Sequence, residues 1–349
     1  MALGTSAASL VTNVGGNLTL TSGAAAGITD SATVTVGGNL IATTDANSGV
    51  IDLGTLAVDG TIALTTHNNG AATVVNDAGL NFAASTVGGA LSATATTGNI
   101  TDSGALAITG TSTFTVANGQ SVILDESSTF ATVTFASAGT IASIEVNDSN
   151  ALDLGTLTTT GNLTVTAGGN ITDSGTVTVG GNLAATTDDN DGVIDMGTLR
   201  VDGTVALTTD GSGDATVVND AGLNFAASTV GGALSVTATS GNITQSGALA
   251  ITGVTTIAAD SGNNITLTNT SNNFQAAVRI TSGNNVTLVD AGAIDLGAST
   301  VSGTYAVTAT AGGDITDSGV LAITGTSTFT VANGRSVILD EASTFSTVT

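Results

Sequence analysis

The 349-residue chain contains no cysteine, no proline, no tryptophan and no lysine, and three arginines stand against 27 acidic residues, for a formal net charge of −24. Each absence excludes something. Without cysteine there is no disulfide framework, so an extracellular protein of this kind would draw its stability from packing alone. Without clustered cations, nucleic acid is not an expected partner, because phosphate binding depends on Lys and Arg. Acidic membrane surfaces are disfavoured for the same reason unless a divalent cation bridges. Aromatic residues make up 3% of the chain, with a single tyrosine, Tyr305, and a membrane-spanning β-barrel would need aromatic girdles at both interfaces. No run of 18 apolar residues occurs, so no membrane-spanning helix and no membrane insertion are expected. The stretch MALGTSAASLVTNVGGN lacks a basic segment followed by an apolar run and does not read as a secretion signal.

What the chain has is repetition. The phrase VGGNL ending at Leu40 returns ending at Leu183, and VVNDAGLNFAASTVGGAL ending at Leu91 returns ending at Leu234, 143 positions later in both cases. Phe130 and Asp153 find their counterparts at Phe274 and Asp295, with slips of one residue. A third, partial copy ends the sequence: the segment closing at Thr134 reappears closing at Thr349, 215 positions on. The array divides into a partial copy (1–30), copy one (31–173), copy two (174–316) and a final partial copy (317–349). The 215-residue offset implies an older half-unit of about 72 residues, and fixed-period self-similarity is the mark of a solenoid or array. Because the partial copy stops where its internal counterpart continues with Phe135, the sequence is expected to be a slice of a longer protein without capping coils.

A shorter beat runs inside the long one. Leu18, Leu40 and Ile62 are 22 apart, Leu163 and Leu183 are 20 apart, and Phe114 to Phe130 and Phe329 to Phe345 are 16 apart, suggesting coils of about 20 residues, roughly 17 of them. In NLTVTAGGNITDSGTVTVGG, Asn162 to Gly181, Leu163 and Val165 alternate with Thr164 and Thr166. AGGN and DSG then interrupt before Val177 and Val179 alternate with threonines. Period-two alternation of β-branched residues between Gly, Asn, Asp and Ser clusters predicts short strands joined by tight turns, and the 47 glycines with abundant Thr and Val disfavour helix. Three short strands per coil predict an all-β, triangular parallel β-solenoid, with Val, Ile, Leu and Ala inward and Thr, Ser and Asn outward. At about 4.8 Å between strands it would be a rod roughly 80 Å long. No charged or low-complexity break divides the chain, so a single continuous solenoid over 1–349 is expected rather than a string of sandwich domains of about 100 residues each.

The phrases GGNLTVTAGGNITDSG, NNITLTNTSNNF, SGNNVTLVDAGAIDLG and STVSGTYAVTATAGGDITDSG together resemble the β-strand repeats of giant bacterial surface proteins of the filamentous haemagglutinin type, over essentially the whole chain. The resemblance implies a right-handed parallel β-helix, export across the outer membrane by a two-partner or autotransporter-like route, and service as the stalk of an adhesin, biofilm component or surface fibre. The amino-terminal secretion domain typical of that family is not in the sequence.

Parallel β-helices also carry polysaccharide lyases and hydrolases, and a unique catalytic residue would have to stand apart from its sister copies. Lyase chemistry wants a basic residue, and the cations are Arg200, Arg279 and Arg335, whose counterparts are Ala57, Phe135 or a neighbour, and Gln120. The single histidine, His67, is replaced by Asp210 and reads as a solvated turn residue. Paired carboxylates roughly 5 to 10 Å apart could hydrolyse glycosides, yet stacked coils place aspartates at such distances by default. The Asp of the DLG or DMG phrase recurs at Asp52, Asp153, Asp195 and Asp295, and that of ITDSG at Asp30, Asp102, Asp173 and Asp317, with Gln245 in a fifth copy. This multiplicity points to turn chemistry, side chains capping backbone amides, and to no catalytic, cofactor or metal site. The calcium-binding nonapeptide phrase is absent, leaving only weak Ca²⁺ screening.

The expectation is a non-enzymatic extracellular structural segment on a bacterial surface, with an unidentified cell-surface or matrix ligand and end-to-end self-association through open strand edges. Two alternatives remain open. One is a carbohydrate-binding or carbohydrate-active β-helix. The other is an ice-binding face built from the outward threonines of TVTV, TLTS and TFTV, against which the uneven coil length counts.

Overall fold

The structure, a computed structural model, describes residues 2–3, 8–23, 25–45 and 48–349; part of the amino-terminal stretch read above for a secretion signal, residues 1 and 4–7, lies outside them. Two compact units divide the chain, Met1–Ala167 and Gly168–Thr349. In both, every pairing between strands is parallel, and no helix occurs among the described residues. The architecture is an all-β parallel β-solenoid of about 21 residues per turn, with about 16 turns over the described residues, slightly longer and fewer than the sequence periodicity suggests.

In the first unit one column of stacked positions runs Ile28, Ile51, Ala72, Leu91, Ser112, Val133, Leu154. Every member is buried. The second unit repeats it as Ile171, Ile194, Ala215, Leu234, Thr255, Val278, Leu296. A second column begins with Leu18, Leu40 and Ile62 and continues to Phe82, so the 22-residue beat is a true coil step. The physical reason is that a strand's side chains alternate between faces. Stacking in register therefore lines all inward residues into one narrow apolar cylinder.

The 16-residue phenylalanine spacing is not a coil step. Phe114 stacks on Phe135 and Phe130 stacks on Ile108, while in the second unit Phe345 stacks on Ile323. The two phenylalanines of each pair sit on different strands and meet edge to face inside the cylinder, Phe114 to Phe130 at 6.1 Å between centroids and Phe329 to Phe345 at 6.0 Å. Phe114 also touches Phe82 and Phe135, and Tyr305 touches Phe329. These rings fill places where a thin core admits bulk, and the buried Tyr305 belongs to the same packing.

Differences in coil length are absorbed at the corners. Between the stacked strands of the first column, steps vary from 19 to 23 residues without a break in the inward set. Some of the corners need glycine. Gly119 and Gly334, one in each unit and 215 residues apart, adopt φ of +75° and +82°, a left-handed backbone that other residues resist.

Candidate functional site

The repeated polar residues serve a common task, the capping of backbone amides, and its reach is longer than turn chemistry suggests. Most of their side chains cap amides of the neighbouring coil, and Asp148 and Asp290 also cap the amide two residues on in their own turn. At the GGN corners the asparagine Oδ1 accepts a backbone N–H about one coil further on. Asn17 takes that of Asn39, Asn39 that of Thr61 and Asn182 that of Thr204, and Asn285 of the related GNN corner takes that of Thr304, at 2.9 to 3.0 Å. The ITDSG aspartates do the same with two arms. Asp30 accepts from the amides of Gly54 and Thr55 and from the Thr55 hydroxyl, and Asp173 accepts from Gly197, Thr198 and the Thr198 hydroxyl. Gln245, the odd member, still bridges forward, taking the Asn269 amide and exchanging hydrogen bonds with Asn272.

Backward clasps come from buried positions. Asn76 accepts the Val58 N–H and donates to the carbonyls of Val58 and Gly79, and Asn219 repeats the arrangement on Val201 and Gly222. At the corresponding strand ends Asp148 holds the Phe130 amide and Asp290 the Phe274 amide, and burial pushes both carboxyls above the usual carboxylate range. The serine of each ASTV phrase, Ser85, Ser228 and Ser299, accepts an amide from the preceding coil and donates to a carbonyl two residues back. Such bonds cost little where a buried amide would otherwise go unpaired.

Asp102 differs from Asp30 and Asp173. It occupies a core position, stacked on Phe82, and is 8% exposed. Its Oδ1 accepts the Asp125 amide at 3.0 Å while Oδ2 has no partner. Where Asp30 and Asp173 face a Gly-Thr step, Asp102 faces Asp125 and Glu126. Burial, reinforced by the Asp125 carboxyl and opposed by the backbone N–H groups of both neighbours, pushes its carboxyl up to about 7. Asp317, its copy, accepts the Asp340 amide and likewise leaves Oδ2 unpaired.

The candidates for chemistry are scattered. Arg200, Arg279 and Arg335 are all exposed; Arg200 lies 3.7 Å from Asp202 and 3.6 Å from Asp220. His67 is an exposed residue outside the strands whose Nδ1 meets the Thr44 carbonyl at 2.6 Å. Asp52 and Asp195 face outward in rows with threonines, Asp153 sits half-buried in the first unit, and Asp295 accepts the Ser318 hydroxyl. Among the described residues no three His, Asp or Glu side chains converge in a way that could hold a metal ion.

One concave feature occurs twice at the repeat spacing. In the first unit a groove of about 390 Å³ is lined by Asp59, Gly60, Gly79, Asn81, Asn99 and Thr101 among others. In the second, about 320 Å³ is lined by the counterparts of those residues, Asp202, Gly203, Gly222, Asn224, Asn242 and Thr244. Gly60 and Gly203 form part of each wall. A Cβ there would run into Asn39 Oδ1 and Asn182 Oδ1, the corner ladder itself. Sequence reading missed this site, since Asn81 and Asn224 look like ordinary outward strand residues. The signal was the unbroken repetition of DGT and NDAGLNF 143 residues apart.

No curated protein and no solved structure matches the chain. One family does, in four segments, residues 69–137, 138–193, 212–281 and 283–349, the first and third of which begin at equivalent places in the two long copies. With most of its length matched in this way, the chain belongs to the family described as repeats of unknown function (DUF5649).

Proposed function

We propose that the chain is a non-enzymatic structural segment, a stalk or fibre portion of a bacterial adhesin-type or biofilm-type surface protein that works outside the cell by the stacking of its coils. The observation that carries this reading is where the repeated polar chemistry goes. The GGN asparagines, the ITDSG aspartates and the ASTV serines each hold the backbone of an adjacent coil. A repeat that spends its side chains this way is selected for cohesion between neighbours, and cohesion of that kind makes extent and stiffness grow with coil number. The absence of cysteine and the surplus of aspartate suit an exported, mutually repelling surface polymer. End-to-end association through sheet edges is part of the proposal.

Two measurements test it. Labelling of intact producing cells with an antibody to the full chain should stain the surface, and stretching of the chain by atomic force microscopy should show successive coil-sized release events. An intracellular location, or collapse at forces that a loose chain bears, overturns the reading.

Ice binding keeps one favourable observation. Thr73, Ser92, Thr113 and Thr134 stack in register on the outer face of the first unit, flanked by Val75, Thr94 and Thr115. Variation in coil length does not disturb that row, contrary to the expectation from spacing, because the extra residues leave at the corners. Thermal hysteresis of the purified chain decides it, and its absence at high concentration removes the idea.

A further inference from the structure

We infer that four outward asparagines, Asn17, Asn99, Asn170 and Asn242, are acceptor sites for an N-linked sugar. Such sites go beyond the stalk reading and do not rest on it, since every clasp described above holds whether or not a sugar is attached. Each of the four opens the tripeptide Asn-x-Thr with Leu or Ile between, as GNLT from Gly16 and GNIT from Gly98, Gly169 and Gly241. That tripeptide is what asparagine-linked glycosylation reads on a surface.

In a chain this rich in threonine the tripeptide decides nothing alone, and three structural observations carry the assignment. The first is which half of the amide the fold uses. Each Oδ1 accepts one backbone N–H of the neighbouring coil, from Asn39, Ser121, Val193 and Asn264 in turn, at 2.8 to 2.9 Å. All four residues are exposed, and among the described residues their Nδ2 atoms donate to no protein group. The clasp itself does not need that nitrogen: Asp314, 215 positions beyond Asn99, takes the Ser336 amide at 2.9 Å with a carboxylate oxygen. The second is the contrast with asparagines whose nitrogen is engaged. Asn76, Asn219 and Asn272 are buried and donate Nδ2 to the carbonyls of Val58, Val201 and Val289. None of them opens the tripeptide, because Ala78, Ala221 and Phe274 stand two positions on. The third is placement. Ile100, Ile171 and Ile243 turn into the core, so the alternation of a strand returns the asparagine amide and the threonine hydroxyl to the same outer side. Asn99 with Thr101, and Asn242 with Thr244, accordingly line the same open grooves, and the glycine before each asparagine has no side chain to cover it.

The step takes a sugar activated as the glycosyl ester of a nucleoside diphosphate and a transferase that reads the tripeptide. Nδ2 attacks the anomeric carbon, a C–N bond forms as the C–O bond to phosphate breaks, the nucleoside diphosphate leaves and one Nδ2 proton passes to a base. Nothing is oxidised or reduced. The amide keeps its second N–H and its Oδ1, so the bond to the neighbouring coil survives the modification.

The test is peptide mapping by electron-transfer mass spectrometry of the full chain recovered from its producing cells. The expected result is a sugar on the amide of each of the four asparagines, with Asn76 and Asn219 bare. The double variant Asn99→Asp with Asn242→Asp copies the natural Asp314 and should lose the sugar at both positions. Made in a host without such a transferase, it should unfold at the same urea midpoint as the unmodified wild type. Thr101→Val with Thr244→Val leaves both nitrogens in place and should abolish the sugar on them as well, which a merely structural asparagine would not show. Bare amides at all four positions overturn the inference. Sugar that stays on Asn99 and Asn242 in the threonine variant, or that is found only on serine and threonine hydroxyls, overturns it equally.

Discussion

Replacing Asp102 with asparagine should convert a pH-dependent joint between coils into a pH-independent one. Asp102 is buried on Phe82 with one oxygen bonded to the Asp125 amide and the other unpaired, and its carboxyl stands at about 7 in the folded chain against 3.8 for an ordinary aspartate. The folded state thus holds a proton that the unfolded chain releases. Its contribution to stability is complete below the unfolded value and disappears as pH rises through about 7. At about 1.4 kcal/mol per pH unit the full window amounts to ~4 kcal/mol, of which about 2 to 3 kcal/mol falls between about pH 5 and about pH 8. Asparagine keeps an oxygen for the Asp125 amide, places an NH₂ toward the Asp125 carboxylate and cannot ionise. Urea unfolding followed by circular dichroism, for both proteins at both pH values, isolates the effect. Self-repulsion of the remaining acidic groups is common to the two and cancels in the difference. The wild-type chain should lose about 2 to 3 kcal/mol more than the variant on going to the higher pH. A difference below about 0.5 kcal/mol would show that Asp102 ionises freely by opening of the coil, and the burial argument would fall.

Other perturbations probe the same stacking. Ser112, Thr255 and Ser327 place hydroxyls without partners at buried core positions, so Thr255→Val, which keeps the shape and removes the polar atom, should stabilise by about 1 kcal/mol in urea unfolding; destabilisation would mean that the hydroxyl is bonded. Asn219→Leu strands the Val201 amide and the carbonyls of Val201 and Gly222, with an expected loss of about 2 to 4 kcal/mol and faster hydrogen exchange at Val201. Phe114→Ala empties the site where three rings meet and should cost about 3 to 5 kcal/mol, read as a lower urea midpoint. Arg200→Ala removes two exposed ion pairs longer than 3.5 Å and should change thermal stability by less than about 0.5 kcal/mol.

The limits of sequence reading are visible in particular residues. Leu18, Leu40 and Ile62 were legible as stacked positions because a 22-residue repeat of strand-type alternation leaves few other arrangements. Phe114 and Phe130 misled, since an equal spacing in two copies records common descent and says nothing of whether the two rings share a column. The ITDSG aspartates were legible as amide caps, but their partners, 24 to 25 residues on, were not. Sequence gives a turn its residues without naming the strand that lies alongside.

Periodicity, β-branched alternation and the lack of proline, lysine and cysteine by themselves determined the all-β parallel solenoid and removed nucleic acid from the expected partners, because those properties depend on local conformation and net charge. Tertiary structure alone decided which polar groups are satisfied. Asp30, Asp102 and Asp317 share the ITDS phrase, yet the first engages donors with both oxygens while the other two each hold one amide and leave Oδ2 unpaired. Asn76 is spent on a clasp while Asn81, five residues later, keeps a buried oxygen without a partner. Satisfaction of a hydrogen bond is a relation between coils, and only their stacking brings the two members of that relation together.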